Sequence, residues 1–257
     1  MLIIKSSLKG QGTKENPYLI KKAVDLIEVK YYPGAYFLQT EDLDMKELTS
    51  YKSELPISNI SDDNCFSGIY NGGGNKITNL QLEIPDQSSI GLFAPLTAKS
   101  VIKNLNLVDI KIIGDTLVGG ITGHNSRGAK IINCSVTGEI SGNEVIGGIA
   151  GDNDGLLKSS SVDIILEGNK DIGGLAGRNW YYGALIKNYI NNEVYRERNN
   201  GTILNSSSAG IINGQKRIGG IAGFNYGIIE GSSSSAIIKP GKYYIGEKVG
   251  ADFSNEN

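Results

Sequence analysis

The chain has 257 residues, among them 35 glycines and 6 prolines, and its formal net charge is −2. This balance argues against broad binding to nucleic-acid phosphates, which requires a clear excess of lysine and arginine, so we expect no nucleic-acid partner. Few prolines and the lack of a Gly-x-y period exclude a collagen triple helix. No apolar run approaches the roughly 20 residues of a membrane-spanning helix, so we expect no membrane span.

Residues 1–65 are predicted to form an N-terminal cap together with the first strands. Residues 16–20 have the composition of a strand, and the apolar residues between positions 20 and 30 predict a short helix over the core. A cap is needed because the open end of a stacked fold exposes apolar surface and unpaired backbone groups. Residues 44–65 are polar and irregular, which indicates a loop or a short helix.

Residues 66–257 contain a repeat that becomes visible when the chain is aligned on pairs of glycines. Its copies begin at positions 90, 118, 146, 172, 218 and 249, with spacings of 28, 28, 26, 46 and 31 residues. The spacing of 46 contains an insertion, residues 180–201. Four copies share the order apolar residue, two glycines, apolar residue, small residue, glycine, variable residue and asparagine. These copies are Val118–Asn125, Ile146–Asn153, Ile172–Asn179 and Ile218–Asn225.

Short segments with alternating apolar and polar residues follow the copies, for example residues 108–112 and 161–166. A period of two favours strands over helices. Three short strands within 20–30 residues are typical of one coil of a solenoid. We therefore predict an all-β fold, a right-handed parallel β-helix (β-solenoid) whose coils span residues 66–257, with an N-terminal capping segment.

Stacked coils would place equivalent residues in columns. Two apolar columns are predicted to point inward, with a bend or bulge at the glycine pair that allows both to do so. The glycines are predicted to turn tight corners with positive φ, and the asparagines to form a hydrogen-bonded ladder along the helix axis. The columns are Val118, Ile146, Ile172 and Ile218, then Ile121, Ile149, Leu175 and Ile221, and then Asn125, Asn153, Asn179 and Asn225.

The glycine-rich copies resemble the GLUG motif of bacterial surface proteins. The segments Gly12–Ile20, Ala23–Leu26, Tyr36–Asp44 and Phe66–Leu80 resemble the region that often precedes this motif. The resemblance covers about residues 10–235. It implies a β-solenoid similar to adhesin-like proteins and to the non-catalytic part of IgA1-protease-type metallopeptidases. The zinc-peptidase motif HExxH is absent from the sequence, so no peptidase activity is implied.

No catalytic constellation, cofactor site or metal site is expected. His124 is the one histidine, and its repeat slot also holds Asp152, Arg178 and Phe224, which we interpret as a solvent-facing position. The segment Asp152–Gly155 has its glycine in the fourth place, whereas an EF-hand calcium loop needs it in the sixth, so we interpret it as an acidic turn.

Two further chemistries receive little support. Glycoside hydrolysis needs two carboxylates about 5–10 Å apart, but the slots that flank Asp152 in adjacent coils hold no acids. Cys65 and Cys134 lack CxxC spacing and are interpreted as free thiols, with Cys134 in the core.

The insertion 180–201 carries the strongest functional signal. It contains the one tryptophan of the chain together with tyrosines and arginines, which are enriched in binding hot spots. It is either a flap that covers the side of the solenoid or a binding loop. The candidate binding residues are Trp180, Tyr181, Tyr182, Tyr189, Tyr195, Arg196 and Arg198.

Three functions follow from these observations. The favoured one is a non-catalytic binding or scaffolding solenoid that engages a partner protein through its coil faces and the inserted loop. The alternatives are a carbohydrate-binding or adhesive cell-surface module and a carbohydrate-active β-helix enzyme. The location depends on the start of the chain: cytoplasmic if Met1 is the natural start, and cell-surface or secreted if the chain is a fragment.

Overall fold

The computed structural model describes residues 7–48, 55, 57, 65–180, 201–239 and 241–252, and the backbone of residues 185–187 and 194–196. Over these residues the chain is a parallel β-helix, because strands of successive coils pair in parallel into four stacked sheets. The predicted all-β solenoid is thereby confirmed. Each regular coil adds one strand to each sheet, in the order sheet 1, sheet 2, sheet 3 and sheet 4.

Sheets 1 and 2 begin in the N-terminal region. The strands of sheet 1 are Tyr18–Ile20, Tyr36–Gln39, Ile69–Asn71, Val101–Lys103, Lys130–Ile132, Leu156–Lys158, Thr202–Leu204 and Ile228–Glu230. The strands of sheet 2 are Leu43–Asp44, Lys76–Thr78, Gln81–Glu83, Asn106–Ile113, Ser135–Ser141, Ser161–Glu167, Ser207–Asn213, Ser233–Ser234 and Ile237–Ile238.

Sheets 3 and 4 are formed by the glycine-rich copies. The predicted start of the last copy at position 249 was wrong, because Ile245 pairs with Ile218 and Val249 pairs with Ala222, so this copy begins at Ile245. The strands of sheet 3 are Thr116–Gly119, Glu144–Gly147, Lys170–Gly173, Lys216–Gly219 and Tyr243–Gly246. The strands of sheet 4 are Thr122–Asn125, Ala150–Asn153, Ala176–Asn179, Ala222–Asn225 and Val249–Asp252. A coil thus has four strands where three were predicted, because each copy bends between its second glycine and the next apolar residue.

This bend lets both apolar columns of the repeat point inward. Val118 and Ile121 lie on either side of it and are fully buried, and so are Ile146 and Ile149 in the next coil. The predicted inward register is confirmed in all four copies. The degenerate copy that begins at Ile90 stacks beneath them, since Ile90 bridges to Val118.

The glycines of the repeat are needed for a reason other than the one predicted. Those of the repeated pairs are not among the residues with positive φ. Instead, a Cβ on Gly147 would overlap the carbonyl oxygen of Ala150 and lie 2.6 Å from the Cα of Ala176 in the next coil. The third glycine of a copy is equally enclosed, because a Cβ on Gly151 would lie 2.6 Å from the carbonyl carbon of Leu117. Close approach of backbones therefore requires glycine here.

Positive φ occurs at other columns. At the corner between sheets 1 and 2 it falls on Asn104, Asn133, Ser159 and Asn205, with φ between 48° and 53°. Asparagine tolerates this left-handed region better than most residues, which explains its recurrence at the corner.

The asparagine ladder has formed as predicted. The Nδ2 of Asn125 donates to the Oδ1 of Asn153 at 2.7 Å, Asn153 donates to Asn179 at 2.8 Å, and Asn179 donates to Asn225 at 2.8 Å. All four side chains are buried. Asn225 extends the ladder by donating to Asp252 at 2.9 Å.

The N-terminal region contains the predicted helix, Ala23–Glu28, followed by a 3-10 turn at Val29–Tyr31; a second such turn spans Met45–Glu47. The helix buries Leu26 and Ile27 against the core. The first coils add an aromatic cluster to the aliphatic core, with contacts that run through Tyr18, Phe37, Phe66, Phe93 and Tyr70. The domain boundary at residue 65 stays a prediction.

Two smaller expectations concern thiols and membranes. Both cysteines are free, and Cys134 lies in the core as predicted, where burial raises the pKa of its thiol to about 12. No helix within the described ranges is long and apolar enough to cross a membrane.

Candidate functional site

One outer face of the β-helix carries side chains that differ from coil to coil. In sheet 4, the residue before each ladder asparagine points away from the core, and these residues are in register as His124, Asp152, Arg178 and Phe224. The residue after the ladder asparagine adds Asp154, Trp180 and Tyr226 to the same side. We call this surface the variable face. It has a polar end in the earlier coils and an aromatic end in the later ones.

At the aromatic end, three rings from adjacent coils form a cluster. The ring centroids of Trp180 and Phe224 are 5.4 Å apart, those of Trp180 and Tyr226 are 5.7 Å apart, and those of Phe224 and Tyr226 are 5.2 Å apart. Such distances are typical of favourable aromatic pairs. Because its neighbours cover it, Phe224 is only 6% exposed. The interpretation of this slot as solvent-facing was therefore wrong for Phe224.

Two arginines border the aromatic cluster and are held by one buried carboxylate. The guanidinium of Arg217 lies 4.4 Å from the centroid of the Phe224 ring, and that of Arg178 lies 5.8 Å from the Trp180 ring. Asp171 is fully buried and accepts from Arg178 Nε at 2.7 Å, from Arg217 Nη2 at 2.6 Å and from Arg217 Nε. A buried carboxylate needs such partners, so Asp171 fixes both cations beside the rings.

The insertion leaves and re-enters the coil at one point. The backbone N–H of Gly201 donates to the carbonyl oxygen of Trp180 at 2.7 Å. The strands on either side remain stacked, since Leu156–Lys158 pairs with Thr202–Leu204 and Ala176–Asn179 pairs with Ala222–Asn225. Within the insertion, Leu185–Lys187 and Val194–Arg196 pair as an antiparallel hairpin. The insertion is thus an addition to a complete solenoid.

The predicted binding residues divide into three groups. Trp180 is described and lies in the aromatic cluster. Tyr195 and Arg196 lie in the second strand of the hairpin, where the backbone alone is described. Tyr181, Tyr182, Tyr189 and Arg198 lie outside the described residues.

Sequence reasoning missed Phe224 and Tyr226 as members of this cluster. A signal was present, because the alignment of repeat copies puts Tyr226 in the same place as Trp180 and Phe224 in the same place as Arg178. Comparing the outward-facing positions of the repeat as well as the inward-facing ones would have predicted that the three rings lie side by side.

The polar end of the variable face holds a cluster that the sequence did not predict. Nε2 of His124 lies 3.0 Å from Oδ2 of Asp154. His124, Asp152 and Asp154 each offer one ligand atom, and these atoms lie within 4.8 Å of one another. Within the described part of the chain, this is the group whose residue types and spacing could hold a metal ion.

The electrostatics of this cluster are unusual. Burial, together with the charge of Asp154, raises the pKa of Asp152 to about 6, although His124 and Arg178 act in the opposite direction. Burial lowers the pKa of His124, but the hydrogen bond to Asp154 and the two negative charges outweigh it, so this pKa lies above its ordinary value. Two carboxylates and an imidazole thus lie close together in a half-buried position.

The chain is a β-helix built from glycine-rich repeats, and one repeat matches a known family model. Residues 114–141 match the family model of the GLUG motif, which confirms the resemblance inferred from the sequence. The matched segment contains the sheet 3 and sheet 4 strands of the first regular copy and the sheet 1 and sheet 2 strands that follow.

Two proteins are similar in sequence over about half of the chain. Halomucin of Haloquadratum walsbyi is 28% identical over 149 residues, an alignment that covers 55% of this chain and 2% of halomucin. A protein of Evansella cellulosilytica, named as a candidate glycine-rich membrane protein, is 36% identical over 126 residues, which cover 45% of this chain and 14% of that protein. The chain therefore matches a small part of the length of these relatives.

The similar solved structures include one that matches nearly the whole chain. It is the crystal structure of a candidate immunoglobulin A1 protease from Bacteroides ovatus, with a TM-score of 0.58 and 18% sequence identity. The match covers 93% of this chain and 80% of that chain. At this identity the similarity shows the fold alone.

Proposed function

We propose that this chain is a non-catalytic binding β-helix that engages a partner protein through its variable face and the inserted segment 180–201. The observation that supports this most is that the strands on either side of the insertion stack in the same register as those of the other coils. Removing the 20 residues 181–200 from the spacing of 46 leaves 26, which equals the spacing of the preceding coil.

The local geometry supports the same view of the insertion. Without residues 181–200, the chain would read Asn179, Trp180, Gly201, which matches Asn153, Asp154, Gly155 one coil earlier. Gly201 already lies in the position of the next coil that corresponds to Gly155, because the N–H of Thr202 donates to the carbonyl oxygen of Gly155.

An insertion that the fold does not need still has a cost. Closing a loop of this length and ordering its side chains both lose chain entropy. The aromatic cluster and its two arginines offset part of this cost at the base of the insertion. The residue types within it are those that dominate interface hot spots. We therefore assign the partner contact to Trp180, Tyr181, Tyr182, Tyr189, Tyr195, Arg196 and Arg198.

The test uses the full chain and a variant that lacks residues 181–200. Both are used as bait in lysate and surface extracts of the source organism, and captured proteins are quantified by mass spectrometry. We expect a partner that the full chain retains and the deletion variant loses. Recovery of the same partner in equal amount by both would place the contact elsewhere on the coils.

A second variant separates the aromatic chemistry from the presence of the loop. Replacement of Tyr181, Tyr182, Tyr189 and Tyr195 with serine keeps the loop length and should weaken capture at least about tenfold if these rings are hot spots. The matched control replaces Tyr243 and Tyr244, two exposed tyrosines of the last coil, and should leave capture unchanged.

A carbohydrate ligand is the main competing function. Aromatic side chains also stack on sugar rings, so both proteins are tested on a glycan array. Binding of one glycan class by the full chain but not by the deletion variant, without a protein partner, would replace the proposal by the carbohydrate-binding alternative. Glycan cleavage would point to the enzymatic one.

A further inference from the structure

We propose that His124, Asp152 and Asp154 form a binding site for a divalent first-row transition-metal ion of the Zn²⁺ type. The site lies at the polar end of the variable face, in the coils that precede the insertion. This goes beyond partner binding by the insertion and departs from the sequence-based expectation that the chain holds no metal.

The donor set fits this class of ion. Imidazole nitrogen is a good ligand for zinc, nickel, copper and iron, whereas alkaline-earth ions prefer oxygen alone. One imidazole and two carboxylates provide three protein ligands, which leaves a fourth position for water or for a group of a bound partner. Around a tetrahedral zinc ion with bonds of about 2.0 Å, ligand atoms are about 3.3 Å apart. The three ligand atoms lie within 4.8 Å of one another, so no pair has to approach by more than about 1.5 Å to reach this geometry.

Unsatisfied oxygen atoms provide an independent observation. Oδ1 of Asp152 and Oδ1 of Asp154 are both enclosed, and neither has a hydrogen-bond partner among the residues that the structure describes. Enclosing a carboxylate oxygen without a partner costs free energy. A cation at this place would satisfy the carboxylates that the fold has taken out of water.

Among the described residues, the neighbouring arginine does not fill this role. Arg178 is in register with Asp152 in the next coil, but its Nε donates to Asp171 at 2.7 Å. The histidine contacts Asp154 through Nε2. Asp152 has no ion pair within the described part of the chain, although it lies beside a second carboxylate. A divalent ion would relieve the repulsion between the two acids.

The backbone holds the three ligands in place without the metal. His124 and Asp152 are neighbours across two hydrogen-bonded parallel strands. The buried ladder contact from Asn125 to Asn153 fixes the residues that follow them. Asp154 comes directly after this contact, and its N–H donates to the carbonyl oxygen of Asn125 at 2.9 Å. A site carried by stacked strands is well preorganised.

The experiment measures Zn²⁺ binding to the untagged full chain by calorimetry, with Co²⁺ absorption as a probe of the ligands. We expect one equivalent of Zn²⁺ and a cobalt spectrum without a thiolate band, which excludes the two cysteines as ligands. The variants Asp152→Asn, Asp154→Asn and His124→Asn should each bind at least about 100-fold more weakly, since loss of a ligand exceeds the effect of outer-shell changes. The control Asp163→Asn alters an exposed carboxylate of sheet 2 and should change affinity less than about twofold.

Melting temperatures measured without metal show whether a variant loses affinity because it is less stably folded. Asp152→Asn removes like-charge repulsion and should melt no lower than the unaltered chain. Zn²⁺ should raise the melting temperature of the unaltered chain and of the Asp163→Asn control, and should leave that of the three ligand variants nearly unchanged. The proposal is overturned if the chain binds no stoichiometric Zn²⁺, or if Asp152→Asn and Asp154→Asn bind it as tightly as the control. Tighter binding of Ca²⁺ than of Zn²⁺ would overturn the assignment of the ion.

Discussion

The inside and the outside of the same coils use the repeat in opposite ways. Inside, each position is filled by nearly the same residue in every copy, as at Ile149 and Asn153 and their counterparts. Outside, the variable face changes from an imidazole and carboxylates to arginines and aromatic rings within four coils. An inward residue must match the one above and the one below, whereas an outward residue has no such restriction. The fold therefore depends on the inner columns, and differences in binding can accumulate on the outer face.

The largest effect is expected for a charge placed in an inner column. Ile149→Asp would bury a carboxylate without a partner and cost several kcal/mol, a large share of the roughly 5–15 kcal/mol of a typical domain. The chain should unfold or aggregate, as measured by circular dichroism and solubility. Ile165→Asp is the matched control, because Ile165 is 40% exposed on sheet 2, and it should cost less than about 1 kcal/mol. Similar losses at both positions would contradict the inward register.

A break in the asparagine ladder should have the next largest effect. Asn153→Ala leaves the Nδ2 of Asn125 without its acceptor and the Oδ1 of Asn179 without its donor, at a cost of about 2–4 kcal/mol in the free energy of unfolding. Urea denaturation measures this. Asn143 also accepts from an asparagine, Asn169 at 2.8 Å, but on the exposed surface, so Asn143→Ala should cost less than about 0.5 kcal/mol. Equal costs would show that the buried ladder adds nothing specific.

A single methyl group tests the close approach of the backbones. Gly147→Ala would push Cβ into Ala150 and Ala176, and overpacking of this kind costs about 1–3 kcal/mol. Gly34→Ala is the control, since the nearest atom would be Oγ of Ser67 at 3.6 Å, and a stability change within about 1 kcal/mol is expected there. If Gly147→Ala is as stable as the control, the neighbouring coils are free to separate.

The smallest effect on stability should come from deletion of the insertion. Removal of residues 181–200 leaves the inner columns intact and should change the free energy of unfolding by less than about 1 kcal/mol. Deletion of 20 residues within a regular coil, 131–150, removes inward residues and should prevent folding. A large loss of stability in the first variant would show that the insertion supports the solenoid, as the flap interpretation requires.

Most of the fold could be predicted from the sequence because stacking makes the chain repeat itself. The spacing near 28 residues indicated the coils, and the apolar residues three apart indicated two inward columns with a bend between them. The role of the glycines could not be predicted correctly, because a corner with positive φ and a close backbone contact both require the absence of Cβ. The sequence does not distinguish these causes, and the structure gives positive φ to Asn104 and its counterparts instead.

The candidate site was predicted only at its most unusual residues. Trp180 was recognised by its type, whereas Phe224 and Tyr226 look like ordinary repeat variants until their coil is placed beside it. The contact between His124 and Asp154 joins residues 30 positions apart. Because these two residues occupy different slots of the repeat, comparing like slots did not reveal it.

The asparagine ladder also has a direction, and one end of it is closed. Each asparagine donates from its Nδ2 to the asparagine of the later coil, so the side-chain dipoles align and strengthen one another. The last partner is Asp252, and an ionised carboxylate accepts hydrogen bonds without offering one. Asp252 thus accepts the hydrogen bond of the last asparagine in the ladder, as a capping residue satisfies a backbone group at a helix end. At the opposite end, Oδ1 of Asn125 is enclosed and still able to accept. The ladder therefore ends at Asp252, where an oxygen stands in place of the donating nitrogen of an asparagine.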